Sequence, residues 1–270
     1  MIPPTSKETL DDPGKTLSWI KAQVSRLYST ESTSPGKESV PLDRATYLHL
    51  YTAIHDYGVI AMHPGRPHIG NPHAGQALYD FLQATIATHC ASVRSHIRES
   101  QTPLEMYVAQ WKVYEEVSGK VANVFRTFDR HWVRRERDER RPEVERWRTA
   151  RRKGRDGGVR PLVGVLWEVR VLHWRVWRGV VLGVWEEGDC EGEVEGGEGR
   201  GDGVGGRIGE ALWGMKVSRR ERREGGDSEN RSGEGGEVVE DVLKSFETLG
   251  IRLEEDGRLV VSRNPGDAEE

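Results

Sequence analysis

The chain has 270 residues, of which 31% are charged and 35% are hydrophobic, and its formal net charge is -4. With a pI of about 6.2, it has no overall electrostatic attraction to nucleic acid or to anionic lipid. Its two cysteines, Cys90 and Cys190, exclude a disulfide framework and fit a soluble, intracellular protein of a reducing compartment.

The N-terminal residues 1–13 are polar and lack the apolar core of a signal peptide, so we expect them to be disordered. The first predicted helix spans Lys15 to Tyr28, because its apolar residues recur at helical spacing. These residues are Leu17, Ile20, Val24 and Leu27. The next segment, STESTSPGKESVP, interrupts the pattern with Ser, Pro and Gly and predicts a loop.

A second predicted helix spans Leu42 to Ala61, with Asp43 near its start, where the helix dipole favours an acid. Its apolar and aromatic positions are Tyr47, Leu50, Tyr51 and Ile54, and Tyr57 is rotated by roughly 120° from Tyr51. Aromatic residues on more than one side indicate a helix that is buried on one face and open to a partner on another. A helix enclosed in the core on all sides is the equally weighted alternative.

The loop MHPGRPHIGNPH follows and contains His63, His68 and His73 at intervals of five residues. Zinc sites favour closer pairs or cysteines, so we predict a polar loop and no metal site or cofactor here. The third predicted helix spans Ala74 to Ile97 and contains Cys90 as a small buried residue. Its stripe consists of Leu78, Phe81, Leu82, Thr85 and Ile86.

Two further helices are predicted, one from Pro103 and one from about Val117 to Arg141. The fourth carries Met106, Tyr107, Trp111 and Tyr114. The stripe of the fifth consists of Val117, Val121, Val124, Phe125, Phe128 and Trp132. Five helices with short connections predict an all-α fold for residues 14–141, either a five-helix bundle or a solenoid unit.

The arginine-rich end of the fifth helix, FDRHWVRRERDERR, invites two interpretations. A nucleic-acid helix would use its arginines on phosphates, whereas a solvated helix face would mix them with acids. Its acids are Asp129, Glu136, Asp138 and Glu139, and Glu136 is spaced to pair with Arg140. These acids interrupt the basic face, so we favour the solvated or protein-docking face.

Beyond Arg141 the composition changes. Residues 142–185 are rich in Arg, Trp and Val and have no assigned structure, and charges such as Glu168 and Arg175 exclude a membrane span. Residues 186–236 are rich in Gly and Glu and are predicted to be disordered. A final helical segment is predicted over residues 237–262, with its stop at Gly250, before a disordered tail over 263–270.

No catalytic motif is evident. A nucleophile elbow, a phosphate-binding loop of the Walker type and HExxH are all missing from the sequence. The GxGxxG match at Gly201, Gly203 and Gly206 follows acidic tracts that would repel a pyrophosphate, so we interpret it as chance. Glu115 and Glu116 fit a solvated helix face. We therefore expect a non-catalytic protein.

Four of these segments resemble the N-terminal helical repeat of the cullin family. RATYLHLYTAIHDYG resembles the second helix of that repeat, and SGKVANVFRTFDRHWVRRERDE resembles its fifth helix. The run RHWVRRE matches the family's hallmark, with Asp129 where the family has Asn. ALYDFLQATIATH and MYVAQWKVYEE resemble the third and fourth helices, and VEDVLKSFETLGI resembles a helix near the end of the repeat.

This resemblance implies a scaffold of a Skp–cullin–F-box ubiquitin ligase, acting in ubiquitin-dependent protein catabolism in the cytoplasm and nucleus. The founding member of the family binds the Skp adaptor, carrying an F-box protein, through its second and fifth helices. The positions that correspond here are Tyr47, Leu48, Tyr51, Lys120, Asn123, Val124 and Thr127. The hallmark residues Arg130, His131, Trp132, Arg134 and Arg135 would form a structural motif, with Trp132 packed between helices.

Departures from the family lead to further expectations. The cullin C-terminal domain has no counterpart in this sequence, so we expect a truncated scaffold without a RING-box subunit. Residues 142–236 match poorly, and their composition suggests translated intron or frame-shifted sequence from a mispredicted or degenerate gene. The alternatives are a nucleic-acid-associated protein that uses the arginines between Arg130 and Arg152, and a nonfunctional fragment.

Overall fold

In the computed structural model, the described residues are 3–31, 43–61, 74–140, 166–184, 204–224, 234–254 and 258–261. Helices dominate these ranges, which confirms the prediction of an all-α fold. None of the helices in these ranges is long and apolar enough to span a bilayer. The first five helices are α1 (Ser6–Asp11), α2 (Pro13–Glu31), α3 (Arg44–Ala61), α4 (Ala74–Glu99) and α5 (Pro103–Phe128).

Of the later elements, only the helix before Gly250 is predicted from the sequence. These elements are α6 (Val169–Val176), α7 (Val204–Glu224), α8 (Glu234–Thr248) and the strands β1 (Ile251–Leu253) and β2 (Leu259–Val261). The described residues form two compact units. The first comprises 3–31, 43–61, 74–84, 117–140 and 166–172, and the second comprises 85–116, 173–184, 204–224, 234–254 and 258–261.

The prediction of disorder over residues 1–13 is wrong for α1. Thr5 and Glu8 form a reciprocal cap, in which the Thr5 N–H donates to Glu8 Oε2 at 2.8 Å and the Glu8 N–H donates to Thr5 Oγ1 at 3.2 Å. This arrangement satisfies amide groups that the first turn of a helix leaves without partners. The Ser6 hydroxyl donates to Asp56 of α3 at 2.5 Å, so α1 is attached to the first unit.

The predicted fourth and fifth helices are one continuous helix, α5, so the predicted break near Val117 is wrong. Ser118 and Gly119 lie in its interior, where a glycine costs about 1 kcal/mol relative to alanine. The buried side chains of Tyr114, Val117 and Val121 surround this point. Tertiary packing therefore outweighs the weak local signal to stop.

A π-helical turn, Asp129–Val133, follows α5 and is the same turn that contains the hallmark tryptophan. The Arg134 N–H donates to the Asp129 carbonyl across this turn, and residues 134–140 continue as helix. The extra residue of a π turn changes which side chains face inward. As a result, Asp129, Trp132 and Val133 are all buried.

The core of the first unit contains residues from the predicted apolar stripes of α2, α3, α4 and α5, although Tyr47 and Tyr51 of the α3 stripe are only half-buried. Phe128 stacks on Trp132 with ring centroids 5.0 Å apart, and Tyr79 lies 6.0 Å from Trp132. A Cβ added at Gly75 would lie 2.1 Å from Trp132 Nε1, so this position requires glycine. Other buried residues of the unit are Ile20, Val24, Leu50, Ile54, Leu78, Leu82, Val117 and Phe125.

The core of the second unit is built around the Trp-rich stretch whose structure the sequence left undecided. Trp177 begins a second π-helical turn, Trp177–Val181, and its side chain is fully buried. Its ring lies 4.4 Å from Tyr114 and 5.3 Å from Trp111, measured between centroids. Residues 173–184 are therefore an integral part of the packing of the second unit.

The prediction of disorder over residues 186–236 is wrong for residues 204–224, which form α7. Val204, Ile208 and Leu212 are buried, and their four-residue spacing places them on one face. A Cβ added at Gly205 would lie 1.9 Å from the Leu182 carbonyl oxygen, so glycine permits this close approach. The prediction of disorder rested on the average composition of the Gly-rich segment, which does not reveal this short apolar stripe.

The predicted C-terminal helix is confirmed as far as Thr248, and Gly250 has a φ of 65° at the predicted stop. The remainder of the predicted helical segment is instead an antiparallel strand pair, with Ile251 opposite Val261. Several predictions lie outside the described residues. They concern the loop with His63, His68 and His73, Cys190, residues 1–2, 142–165, 186–203 and 225–233, and the tail 263–270.

Candidate partner-binding site

The start of α3 is fixed by a side-chain cap just before the first candidate residue. Asp43 Oδ1 accepts from the N–H groups of Ala45 at 3.0 Å and Thr46 at 2.9 Å, and Asp43 Oδ2 accepts from the Thr46 hydroxyl at 2.5 Å. The hydrogen bonds from Thr46 hold the pKa of Asp43 below its usual value. Because the carboxylate is ionised at neutral pH, its negative charge also interacts favourably with the positive, N-terminal end of the helix dipole.

Tyr47, Leu48 and Tyr51 form an accessible aromatic patch on this capped turn. The Leu48 side chain is 50% exposed, and the two tyrosines are half-buried. Tyr47 and Tyr51 stack with centroids 6.4 Å apart and an interplanar angle of 18°. The patch is therefore open to solvent and is held in place by its own stacking.

The opposite face of α3 is buried, which decides between the two interpretations of its tyrosines. Leu50 and Ile54 are fully buried. Tyr57 is also buried, and this burial raises its pKa to about 12. The helix has one face in the core and one open face, and Tyr57 belongs to the core rather than to the open face.

The candidate residues of α5 divide in the same way. Asn123 is exposed, and Lys120 and Thr127 are half-buried. Val124 is 0% exposed, so the expectation that it contacts a partner is wrong. It lies on the apolar stripe with Val117, Val121 and Phe128, and a side chain on that stripe faces the core.

The two helices of the site meet in the first unit. A Cβ added at Gly58 of α3 would lie 3.7 Å from Phe128 of α5, which is ordinary van der Waals contact. Thr127 is adjacent to Phe128 in sequence, and Tyr51 lies two helical turns from Gly58, roughly 10 Å along the axis. The corrected candidate set is Tyr47, Leu48, Tyr51, Lys120, Asn123 and Thr127, and its binding role stays a prediction.

The hallmark residues have three different environments. Trp132 is buried between Phe128 and Tyr79, as predicted. Arg130 and His131 are exposed, so of these three residues only Trp132 contributes to the core. A side chain can take part in packing only where it is removed from solvent.

Three of the arginines after the π turn are paired with acids. Arg134 Nε lies 2.9 Å from Glu168 Oε1, and Arg135 Nε lies 2.8 Å from Glu139 Oε1. The predicted pair of Glu136 with Arg140 is present, with Arg140 Nη2 at 2.8 Å from Glu136 Oε1. This is the mixed, solvated surface that the sequence indicates.

Asp129 is a residue whose role the sequence analysis missed. It was assigned to the basic face, but it is only 9% exposed. Its Oδ1 and Oδ2 accept from the Val169 N–H at 3.1 and 3.2 Å, so it caps α6. Asp129 lies four residues after Phe125 and three before Trp132, and this spacing places it on the buried stripe. Its hydrogen-bond partner Val169 lies 40 residues further along the chain, so the contact is visible only in the fold.

The buried titratable groups of the second unit offer no nucleophile. Burial raises the pKa of Cys90 to about 12, so the thiol stays protonated, in keeping with its predicted packing role. Burial lowers the pKa of His89 to about 4, and its ring stacks on Tyr114 with centroids 5.9 Å apart. Across the part of the chain that the structure describes, no group of three or more His, Cys, Asp or Glu side chains is arranged to hold a metal ion.

Comparison with known proteins gives a partial similarity. The chain is 23% identical over 108 residues to Cullin-1 of Dictyostelium discoideum. Part of the chain is thus similar in sequence to a cullin. The similarity covers 36% of this chain and 14% of that protein, so the chain spans a small part of the length of its curated relative. No protein-family model matches the chain, and no solved structure matches it.

Proposed function

We propose that the protein is a non-catalytic, cullin-like scaffold that binds a Skp-type adaptor carrying an F-box protein. In this proposal it acts in ubiquitin-dependent protein catabolism in the cytoplasm and nucleus. One observation carries the proposal. The exposed Leu48 follows Tyr47, which stacks on Tyr51, and both tyrosines are half-buried on a helix whose opposite face is buried. The similarity to Cullin-1 supports the class of scaffold, and the adaptor is the finer step that the proposal adds.

The physical basis is a preorganised aromatic anchor. Tyrosine brings a large contact area to an interface at a small cost in conformational entropy, and aromatic residues are enriched among binding hot spots. Tyr47 and Tyr51 already hold one another in place. Lys120 and Asn123 supply polar groups on the surface of α5, whereas the Thr127 hydroxyl oxygen and the Val124 side chain are buried.

The decisive experiment is co-expression and quantitative pull-down with a Skp-type adaptor. We expect the wild-type chain to bind, and Tyr47→Ala with Tyr51→Ala together to lose at least about 2 kcal/mol, or roughly 30-fold in affinity. His49→Ala is the matched control, because His49 is exposed on α3 beside Leu48 and is not part of the site. The control should bind as the wild type does.

Two results would count against the proposal. One is that the wild type fails to bind the adaptor, and the other is that the double variant binds undiminished. Leu48→Glu tests the same patch with a substitution at a half-exposed position, where the effect on folding should be small. A melting curve of each variant separates loss of binding from loss of the fold.

The nucleic-acid alternative receives no support from the charges. Arg134, Arg135 and Arg140 are paired with acids, so these three cations are already compensated. Binding to phosphates would have to break those pairs and should then show a steep dependence on salt. A filter-binding titration without retention at low salt would remove this alternative.

A further inference from the structure

The beginning of α6 is held at three consecutive residues. The Tyr79 hydroxyl accepts from the Trp167 N–H at 2.9 Å and donates to the Trp167 carbonyl at 3.1 Å. Glu168 pairs with Arg134 at 2.9 Å, and the Val169 N–H donates to both oxygens of Asp129. The contacts come from α4, from the π turn and from the helix that follows it.

The Asp129 contact differs from the other two because its acid is buried. A carboxylate at the N-terminus of a helix is favoured by the helix dipole, but taking an ionised group out of water costs more unless it is fully paired. Burial raises the pKa of Asp129 to about 8, and the charge of Glu168 acts in the same direction. The Val169 N–H and the Arg134 guanidinium oppose this shift without cancelling it.

We propose that Asp129 is a proton-operated latch that holds the first turn of α6 against the π turn most tightly when it is protonated. When the first turn of α6 moves away, Asp129 becomes accessible to water and gives up its proton. The latch does not depend on adaptor binding, so it goes beyond the function proposed above. It controls whether residues 166–169 stay attached to the first unit.

The sign of the pH dependence follows from proton linkage. The closed form keeps the proton up to about pH 8, whereas an exposed aspartate loses it near pH 4. Opening therefore releases a proton between these values and becomes easier as the pH rises, by at most about tenfold per pH unit. Above about pH 8 both forms are ionised, and the dependence levels off.

Hydrogen exchange on the full chain tests the latch. We would follow the protection of the Val169 amide between pH 5.5 and 9, corrected for the intrinsic exchange rate. Protection should fall with rising pH and become constant above about pH 8. A peptide that covers Ile20 and Val24 of α2 serves as the internal reference for global unfolding.

Two variants give matched comparisons. In Asp129→Asn the amide oxygen still accepts from the Val169 N–H but does not ionise, so protection should be independent of pH. Asp138→Asn removes an exposed carboxylate from the helical segment after the π turn, and should leave the wild-type dependence unchanged. A pH dependence retained in Asp129→Asn, or constant protection in the wild type, overturns the proposal.

A third variant keeps the test decisive if Asp129→Asn folds poorly. Glu168→Gln removes the negative charge that disfavours ionised Asp129, and it frees Arg134 from its pair. Both changes stabilise the Asp129 carboxylate, so the level region should begin at a lower pH. A profile that does not move would contradict the latch.

Discussion

Residues 126–140 and residues 173–181 both contain a His-Trp pair, neighbouring arginines and a π-helical turn, yet their arginines lie in opposite environments. In the first stretch Arg130, Arg134 and Arg135 are exposed. In the second, Arg175 is 7% exposed and Arg178 is 1% exposed. Similar local sequence therefore forms a surface helix in one unit and a core helix in the other.

The difference lies in what surrounds each guanidinium. The first stretch provides acids on the helix surface, such as Glu139 for Arg135. In the second, Arg178 Nη1 donates at 3.4 Å to the carbonyl of Leu249, just after α8 ends. Carbonyl groups at the end of a helix carry partial negative charge and accept from basic side chains. A buried arginine thus finds one acceptor at a helix end that lies far away in the sequence.

The largest effect that would test this comparison is expected at Trp177. Trp177→Ala removes a fully buried ring that contacts Tyr114 and Trp111, and it should lower the free energy of unfolding by about 3–5 kcal/mol. Trp174→Ala, at a half-buried position in the same helix, is the control and should cost less. Urea denaturation measures both. Equal, small losses would favour the hypothesis that residues 142–236 are translated non-coding sequence.

The arginines themselves should differ almost as much. Arg178→Ala leaves a cavity and removes a donor from the Leu249 carbonyl, so we expect a loss of about 3 kcal/mol in unfolding free energy. Arg130→Ala on the exposed stretch should change it by less than about 0.5 kcal/mol. If both substitutions had the same effect in urea denaturation, the contrast between the two stretches would be lost.

The contrast also explains how far sequence reasoning could reach. Apolar residues at helical spacing predicted α2 to α5, and Asp43 marked the start of α3, because these signals are local. The family resemblance assigns Val124 to the partner-binding face, but Val124 lies on the buried apolar stripe of α5. The partners of Asp129 and Arg178 lie 40 and 71 residues away, and no local pattern encodes such distances.

Two glycines also show that local sequence does not reveal tertiary contacts, because packing requires one of them and not the other. Gly75→Ala would place a Cβ 2.1 Å from the rigid Trp132 ring and should destabilise the protein by about 2 kcal/mol. Gly119→Ala meets nothing within 4 Å in the middle of α5 and should stabilise it by about 1 kcal/mol. Thermal melting of the two variants should show shifts of opposite sign. Shifts of the same sign would contradict the packing around Trp132.

The two units should also respond to pH in opposite directions, with slopes of at most about 1.4 kcal/mol per pH unit. The pKa of His89 is lowered to about 4, so its contribution is present above about pH 6.5 and is lost as the pH falls toward 4. The pKa of Asp129 is raised to about 8, so its contribution is present at low pH and is lost as the pH rises from about 4 to 8. In the wild type the two slopes oppose one another between about pH 4 and 6.5.

Single variants should separate these slopes. Asp129→Asn removes the contribution of Asp129 to stability and keeps that of His89. Its free energy of unfolding should therefore fall, relative to that of the wild type, as the pH drops from 6.5 to 4. His89→Phe retains an aromatic ring against Tyr114 and keeps the contribution of Asp129. Its free energy of unfolding, relative to that of the wild type, should therefore rise over the same drop in pH. Urea denaturation across this range measures both differences. Because all other titrating groups are common to the three proteins, differences of the same sign would show that one of the two buried groups does not titrate in the folded state as its environment requires.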